Sequence, residues 1–134
     1  MTGMTALLLF AAWTLVVMFV YVGYRMVLVL SMQKKANAWT RGQPTDDPAF
    51  VVRASHAHVN CVENLPVFAA IVLAAAALGK SPVVDAVACW FLAARIAQTT
   101  VHLISTAPGM VFLRANLFVV QAALCFWMIW GLLH

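Results

Sequence analysis

The sequence predicts an all-α membrane protein, a four-transmembrane-helix bundle, and three observations lead there. Of its 134 residues, 65% are apolar and only 9% are charged, whereas soluble domains carry about 25% charged residues. A chain this short has too little interior to hide so much apolar surface from water. Four apolar stretches each reach the roughly 20 residues that a helix rising 1.5 Å per residue needs to cross hydrocarbon. Short polar segments holding proline and glycine separate them.

The first span is expected at 5–32, too long for the apolar core of a secretory leader and without a basic leader or small-residue cleavage site, so it stays attached. A polar loop follows, in which Gly42, Pro44, Asp46, Asp47 and Pro48 exclude a continuous helix. The second span is expected at 51–78, with Pro66 kinking it. Gly79, Lys80, Ser81 and Pro82 form a short turn, with proline at the first position of the next helix, where its missing N–H costs nothing. The third span is expected at 82–105 and the fourth at 111–134, parted by Thr106, Ala107, Pro108 and Gly109. The two short turns make the last three spans antiparallel neighbours. No internal repeat or second domain interrupts residues 1–134.

Charge sets the expected orientation. Lys34, Lys35 and Arg41 share the first loop and Arg114 lies just beyond the third, against Lys80 alone on the other side. Basic loops stay cytoplasmic, so the first and third loops are expected in the cytoplasm. The net charge of +4 forms no basic face with interleaved aromatics, which argues against nucleic acid as a partner. Cys61, Cys89 and Cys125 are odd in number and widely spaced, so they read as small buried hydrophobes, with no disulfide framework or metal site. Arg25 is expected to snorkel to the headgroups, and Trp13, Trp127 and Trp130 to anchor the far interface.

Ionisable groups inside a span cost a few kcal/mol each unless paired, so they mark function. At about 100° per residue, Arg53, His56, Asn60, Glu63 and Asn64 share one stripe of the second span, and His58 points the other way. Arg95, Gln98, Thr99, His102 and Thr106 share one face of the third. Counting from a hairpin turn near Ser81 sets Asn60 level with His102 and Glu63 level with Thr99, with Arg95 about one turn deeper. The pattern predicts that Glu63 and Arg95 stabilise each other, directly or through a ligand, and that Asn60, Gln98 and His102 complete a polar pocket. Interhelical glue is the structural alternative, but it needs one or two amides rather than a carboxylate, a guanidinium, an imidazole and several amides at one depth.

Ala57-His58-Val59-Asn60-Cys61-Val62-Glu63-Asn64, followed by Pro66, resembles the signature of the MAPEG superfamily, membrane-associated proteins in eicosanoid and glutathione metabolism. His56 takes its basic position. Lys34-Lys35-Ala36, Ala94-Arg95-Ile96-Ala97-Gln98 and Ala107-Pro108 are also similar to the family, and the likeness, closest to its short bacterial members, covers essentially the whole chain. It implies a homotrimer in a bacterial inner membrane, with glutathione as co-substrate bound between neighbouring subunits on the cytoplasmic side. It further implies that Asn60 and Glu63 bind glutathione, with Glu63 taking its ammonium and Arg95 ordering that carboxylate. Arg53, His56, Asn64, Gln98 and His102 would complete the binding set. Catalytic members place an arginine just after the alanine–proline pair to hold the glutathione thiolate; here Gly109-Met110-Val111 stands there. Arg114 and His102 are the candidates for the chemistry. An arginine expected near the end of the first span is also missing.

The resemblance implies a glutathione transferase or peroxidase acting on lipophilic electrophiles from the bilayer. Alternatives are a related protein that binds glutathione or a lipid-like ligand without turnover, and a small proton-coupled transporter using Glu63. A haem protein using two of the histidines is a more remote class.

Overall fold

The structure, a computed structural model, describes residues 1–40 and 44–134, so Arg41 and Gly42 of the polar loop lie outside the described residues. Five helices follow in order: α1 (Gly3–Leu30), α2 (Ala49–Ala77), α3 (Ser81–Asp85), α4 (Ala88–Ile104) and α5 (Pro108–Leu133). There is no strand among the described residues. Helices α1, α2 and α5 are each long and apolar enough to cross a membrane. Large apolar side chains such as Phe19, Leu30, Phe112 and Phe126 face outward. Water would not tolerate that surface, and hydrocarbon does. The chain is an integral membrane protein.

Local chemistry accounts for the helix ends. Thr2 caps α1 by accepting from the Thr5 N–H. Helices α1 and α2 both end in a Schellman motif, in which Gln33 N–H bonds Leu28 O and Lys80 N–H bonds Ala75 O. Gly79 takes the left-handed position of the second motif at φ +67°, whereas the first uses Met32 at φ 60°. Pro66 lies inside an unbroken α2.

The third span departs from expectation. It is not one helix over 82–105 but a five-residue α3, a turn at Ala86–Val87 and then α4. The break follows from docking. Val84 meets Gly3 of α1 and Val83 meets Gly131 of α5 so closely that a Cβ on either glycine would come within 2.6 and 2.7 Å of a valine methyl. Asp85 Oδ1 accepts from the Gly3 N–H at 2.6 Å, and Lys80 Nζ donates to Leu132 O at 2.9 Å. A carboxylate thus sits at the start of α1 and an ammonium at the end of α5, each matching the helix dipole.

Beyond α3 the core is aromatic. Phe68 of α2 stacks on Phe91 of α4 at 4.0 Å between ring centroids, and Phe10 of α1 tilts against both. Trp13 packs against this cluster, with its indole N–H buried and without a partner among the described residues, rather than anchoring an interface. Trp127 and Trp130 are exposed as an interface anchor should be. Cys61 is buried as expected, but Cys89 is exposed and Cys125 lies between.

Arg25 does not snorkel. The polar loop folds back on α1, and Asp47, whose side chain is fully buried, accepts from Arg25 at 2.8 and 2.9 Å and from Trp39 Nε1 at 2.9 Å. The Arg25 guanidinium lies between the rings of Tyr21 and Trp39. Lys34 pairs with Asp46 beside it. Burial opposes ionisation of Asp47, yet the bonds from Trp39 and Arg25 outweigh it and hold its carboxyl below 3.8.

Two outcomes test this framework. Gly131→Leu should lower the thermal unfolding midpoint in detergent by an amount equivalent to about 1–3 kcal/mol of overpacking, whereas Gly109→Ala, with nothing within 4 Å of its new methyl, should not. Because the folded pKa of Asp47 is depressed, the loop clasp is fully present above its ordinary value of 3.8 and is lost as pH falls below it. Trp39 fluorescence should therefore report acid release in that window, and Asp47→Asn should abolish the transition.

Candidate functional site

The loop-bearing halves of α2, α4 and α5 carry the polar residues, and helical periodicity distributes them. On α2, His58 lies off the predicted stripe, as its angle on the helix requires. His58 turns toward α1, where its Nδ1 lies 3.2 Å from the Tyr21 hydroxyl. Arg53, His56, Asn60 and Glu63 turn toward α4 and α5. Arg53 Nε donates to Leu103 O at 2.8 Å, satisfying a carbonyl in the last turn of α4. Asn64 donates to Asn60 O at 2.9 Å and does not reach the cavity.

Two adjoining cavities open between these helices. One, of about 450 Å³, is lined by His56, Val59, Asn60, His102, Thr106, Val111 and Arg114. The other, of about 410 Å³, is lined by Asn60, Glu63, Gln98, Val111, Arg114, Ala115, Phe118 and Val119. Asn60, Val111 and Arg114 belong to both, so the two are lobes of one groove. One lobe is basic, with two imidazoles and a guanidinium. The other sets a carboxylate against apolar side chains that open toward lipid.

The register predicted between α2 and α4 is met at one level and missed at another. Asn60 Nδ2 lies 3.3 Å from His102 Nδ1, so those two are level. Thr99 meets Cys61 at 3.6 Å rather than Glu63. No Glu63–Arg95 ion pair forms among the described residues. Arg95 is 1% exposed and turns into the core, with its guanidinium 5.3 Å from the Phe10 ring centroid and Nη1 3.5 Å from Asn60 O. Glu63 lies on the outer surface of the chain beside Arg114. The hairpin count assumed one continuous helix from Ser81, and the break at Ala86–Val87 turns α4 about its axis.

One polar residue carried no signal in the sequence. Gln121 of α5, 1% exposed, donates to Gln98 Oε1 at 3.1 Å, and Gln98 in turn donates to Arg114 O at 3.2 Å. A lone amide in an apolar helix belongs to no motif. Only its partner on α4 reveals its role, which is to hold α5, and with it Arg114, against the groove.

A bundle of membrane helices with a zwitterion-lined groove near one end defines the class of protein. The sequence profile of the MAPEG family matches residues 3–134, essentially the whole chain. The chain belongs to the MAPEG family. No curated protein and no solved structure matches it.

The Gln98–Gln121 bond should show in a double-mutant cycle. Gln98→Leu and Gln121→Leu, singly and together, should give a coupling energy of about 0.6 kcal/mol in detergent unfolding, the size typical of interhelical hydrogen bonds.

Proposed function

We propose that this protein is a membrane-bound, glutathione-dependent transferase or peroxidase acting on lipophilic electrophiles. The observation that carries this reading is the two-lobed groove, which combines Glu63, Asn60, His56, His102 and Arg114 with an apolar flank of Val111, Phe118 and Val119. Glutathione is a zwitterion with one ammonium and two carboxylates, so its site needs both signs of charge. Glu63 takes the ammonium, and the basic rim of Arg53 and His56 takes the glycine carboxylate. Arg114, at the junction of the lobes, holds the thiolate, since the thiolate and not the thiol is the nucleophile. Asn60 and Gln98 supply amides to the peptide, while Arg95 and Asn64 support Asn60 from behind. The lipophilic partner enters along the apolar flank from the bilayer.

Glu63 also supports a homotrimer. A carboxylate on the outer face of a membrane helix is costly in lipid, and a neighbouring copy that brings a donor or cation over the groove offsets that cost. The basic first loop supports a cytoplasmic site in a bacterial inner membrane. Lys34 and Lys35 of the first loop, with Arg53 and Arg114 near the same end, carry that bias.

Met110 favours a second reading, because it occupies the position just after Ala107-Pro108 where an activating arginine is expected. On that reading the protein binds glutathione without turnover.

Equilibrium binding in mild detergent separates these readings. Glutathione should bind the wild type, and Glu63→Gln should weaken it at least tenfold, about 1.4 kcal/mol. Arg114→Ala should leave binding within a few-fold and reduce conjugation of a generic electrophile about 100-fold. Binding with no conjugation by the wild type supports the second reading, and no binding at millimolar glutathione removes both.

A further inference from the structure

The side-chain amide nitrogen of Asn60 is only a donor, and it lies 3.3 Å from His102 Nδ1. With the amide oriented this way, a hydrogen bond between the two needs the Nδ1 lone pair, and the ring's single proton then sits on Nε2. The helix backbone beneath both side chains is tied down. Asn60 O accepts from Asn64 Nδ2 at 2.9 Å and from the buried Arg95 at 3.5 Å. His102 is 5% exposed, and Arg53 fastens the next residue of α4 through Leu103 O. His102 lines the basic lobe together with His56 and Arg114.

We infer that Asn60 locks His102 as the neutral Nε2–H tautomer, and that His102 thereby offers a second hydrogen-bond donor, beside Arg114, to the sulfur of bound glutathione. The inference rests on the glutathione reading above. Glutathione carries its cysteine between its two ends. With the ammonium at Glu63 and the glycine carboxylate at His56, the cysteine falls at the junction that Asn60 and Arg114 share. A donor fixed there favours the thiolate over the thiol, because the bond to the charged form is the stronger one. Asn60 is a positioning residue in this arrangement, and His102 supplies the contact. No proton leaves the imidazole; it remains neutral while the sulfur is charged.

The lock and its use are tested separately. In protein with ¹⁵N-labelled histidine, compared with His102→Gln to assign the ring, His102 should show an unprotonated Nδ1 and a protonated Nε2. Asn60→Leu should remove the donor to Nδ1 and move that nitrogen's resonance downfield, and an unchanged resonance overturns the lock. A protonated Nδ1 in the wild type overturns the lock, with or without glutathione. The sulfur contact is read from the ultraviolet thiolate absorbance of bound glutathione at neutral pH. His102→Leu should cut the thiolate-to-thiol ratio about tenfold, the equivalent of one pKa unit. His102→Gln, whose amide restores a donor, should recover most of it. An unchanged ratio in His102→Leu overturns the contact while leaving the binding site intact. Failure of the wild type to bind glutathione overturns the glutathione reading and the sulfur contact together, and the ring spectrum still decides the lock.

Discussion

Arg95 carries a charge that no protein environment removes, and its side chain is among the largest that this fold buries completely. Moving such a group out of water costs several kcal/mol even after relaxation, so the helices around it must be arranged to bear it. Phe10 of α1 turns its ring face to the guanidinium, Asn60 of α2 gives it a carbonyl, and Arg95 itself rises from α4. Two of its nitrogens have no partner among the described residues. The three helices around this group can neither slide nor rotate independently without uncovering it. The aromatic stack of Phe10, Phe68 and Phe91 lies directly beneath and fills the same junction with apolar surface.

The groove inherits its shape from that junction. Asn60 is held from behind by Arg95 and Asn64, and its side chain is therefore free to face His102. On the other wall, the Gln121–Gln98 bond and the Gln98 bond to the Arg114 backbone tie α5 to α4. Neither amide need touch a ligand to matter, since a wall displaced by 1 Å no longer presents its charges to the same atoms. At the opposite end of the bundle, the valines of α3 lock into two glycines and close the fold. The polar end is thus fixed by hydrogen bonds and charge, and the far end by steric fit.

Much of this was legible in the chain. Hydropathy and turn residues specified the apolar helices, because lipid admits few ways of satisfying a backbone. Periodicity separated His58 from Asn60 and set Asn60 opposite His102. What was not legible is equally specific. Arg25 in an apolar helix looks like a snorkelling residue until the loop returns Asp47 and Trp39 to it, across separations of 22 and 14 residues. Gln121 looks like an isolated amide until Gln98 meets it.

The sequence by itself determined the membrane bundle, the family and the set of polar residues available to a site, since composition and spacing express those directly. Only the tertiary structure decided how that set is divided. A two-residue break separates α3, docked on two glycines at the bundle's end, from α4, in which Arg95 faces inward, while Glu63 lies on the groove with Arg114. Helix rotation is set by packing between segments distant in sequence, and no local pattern records it.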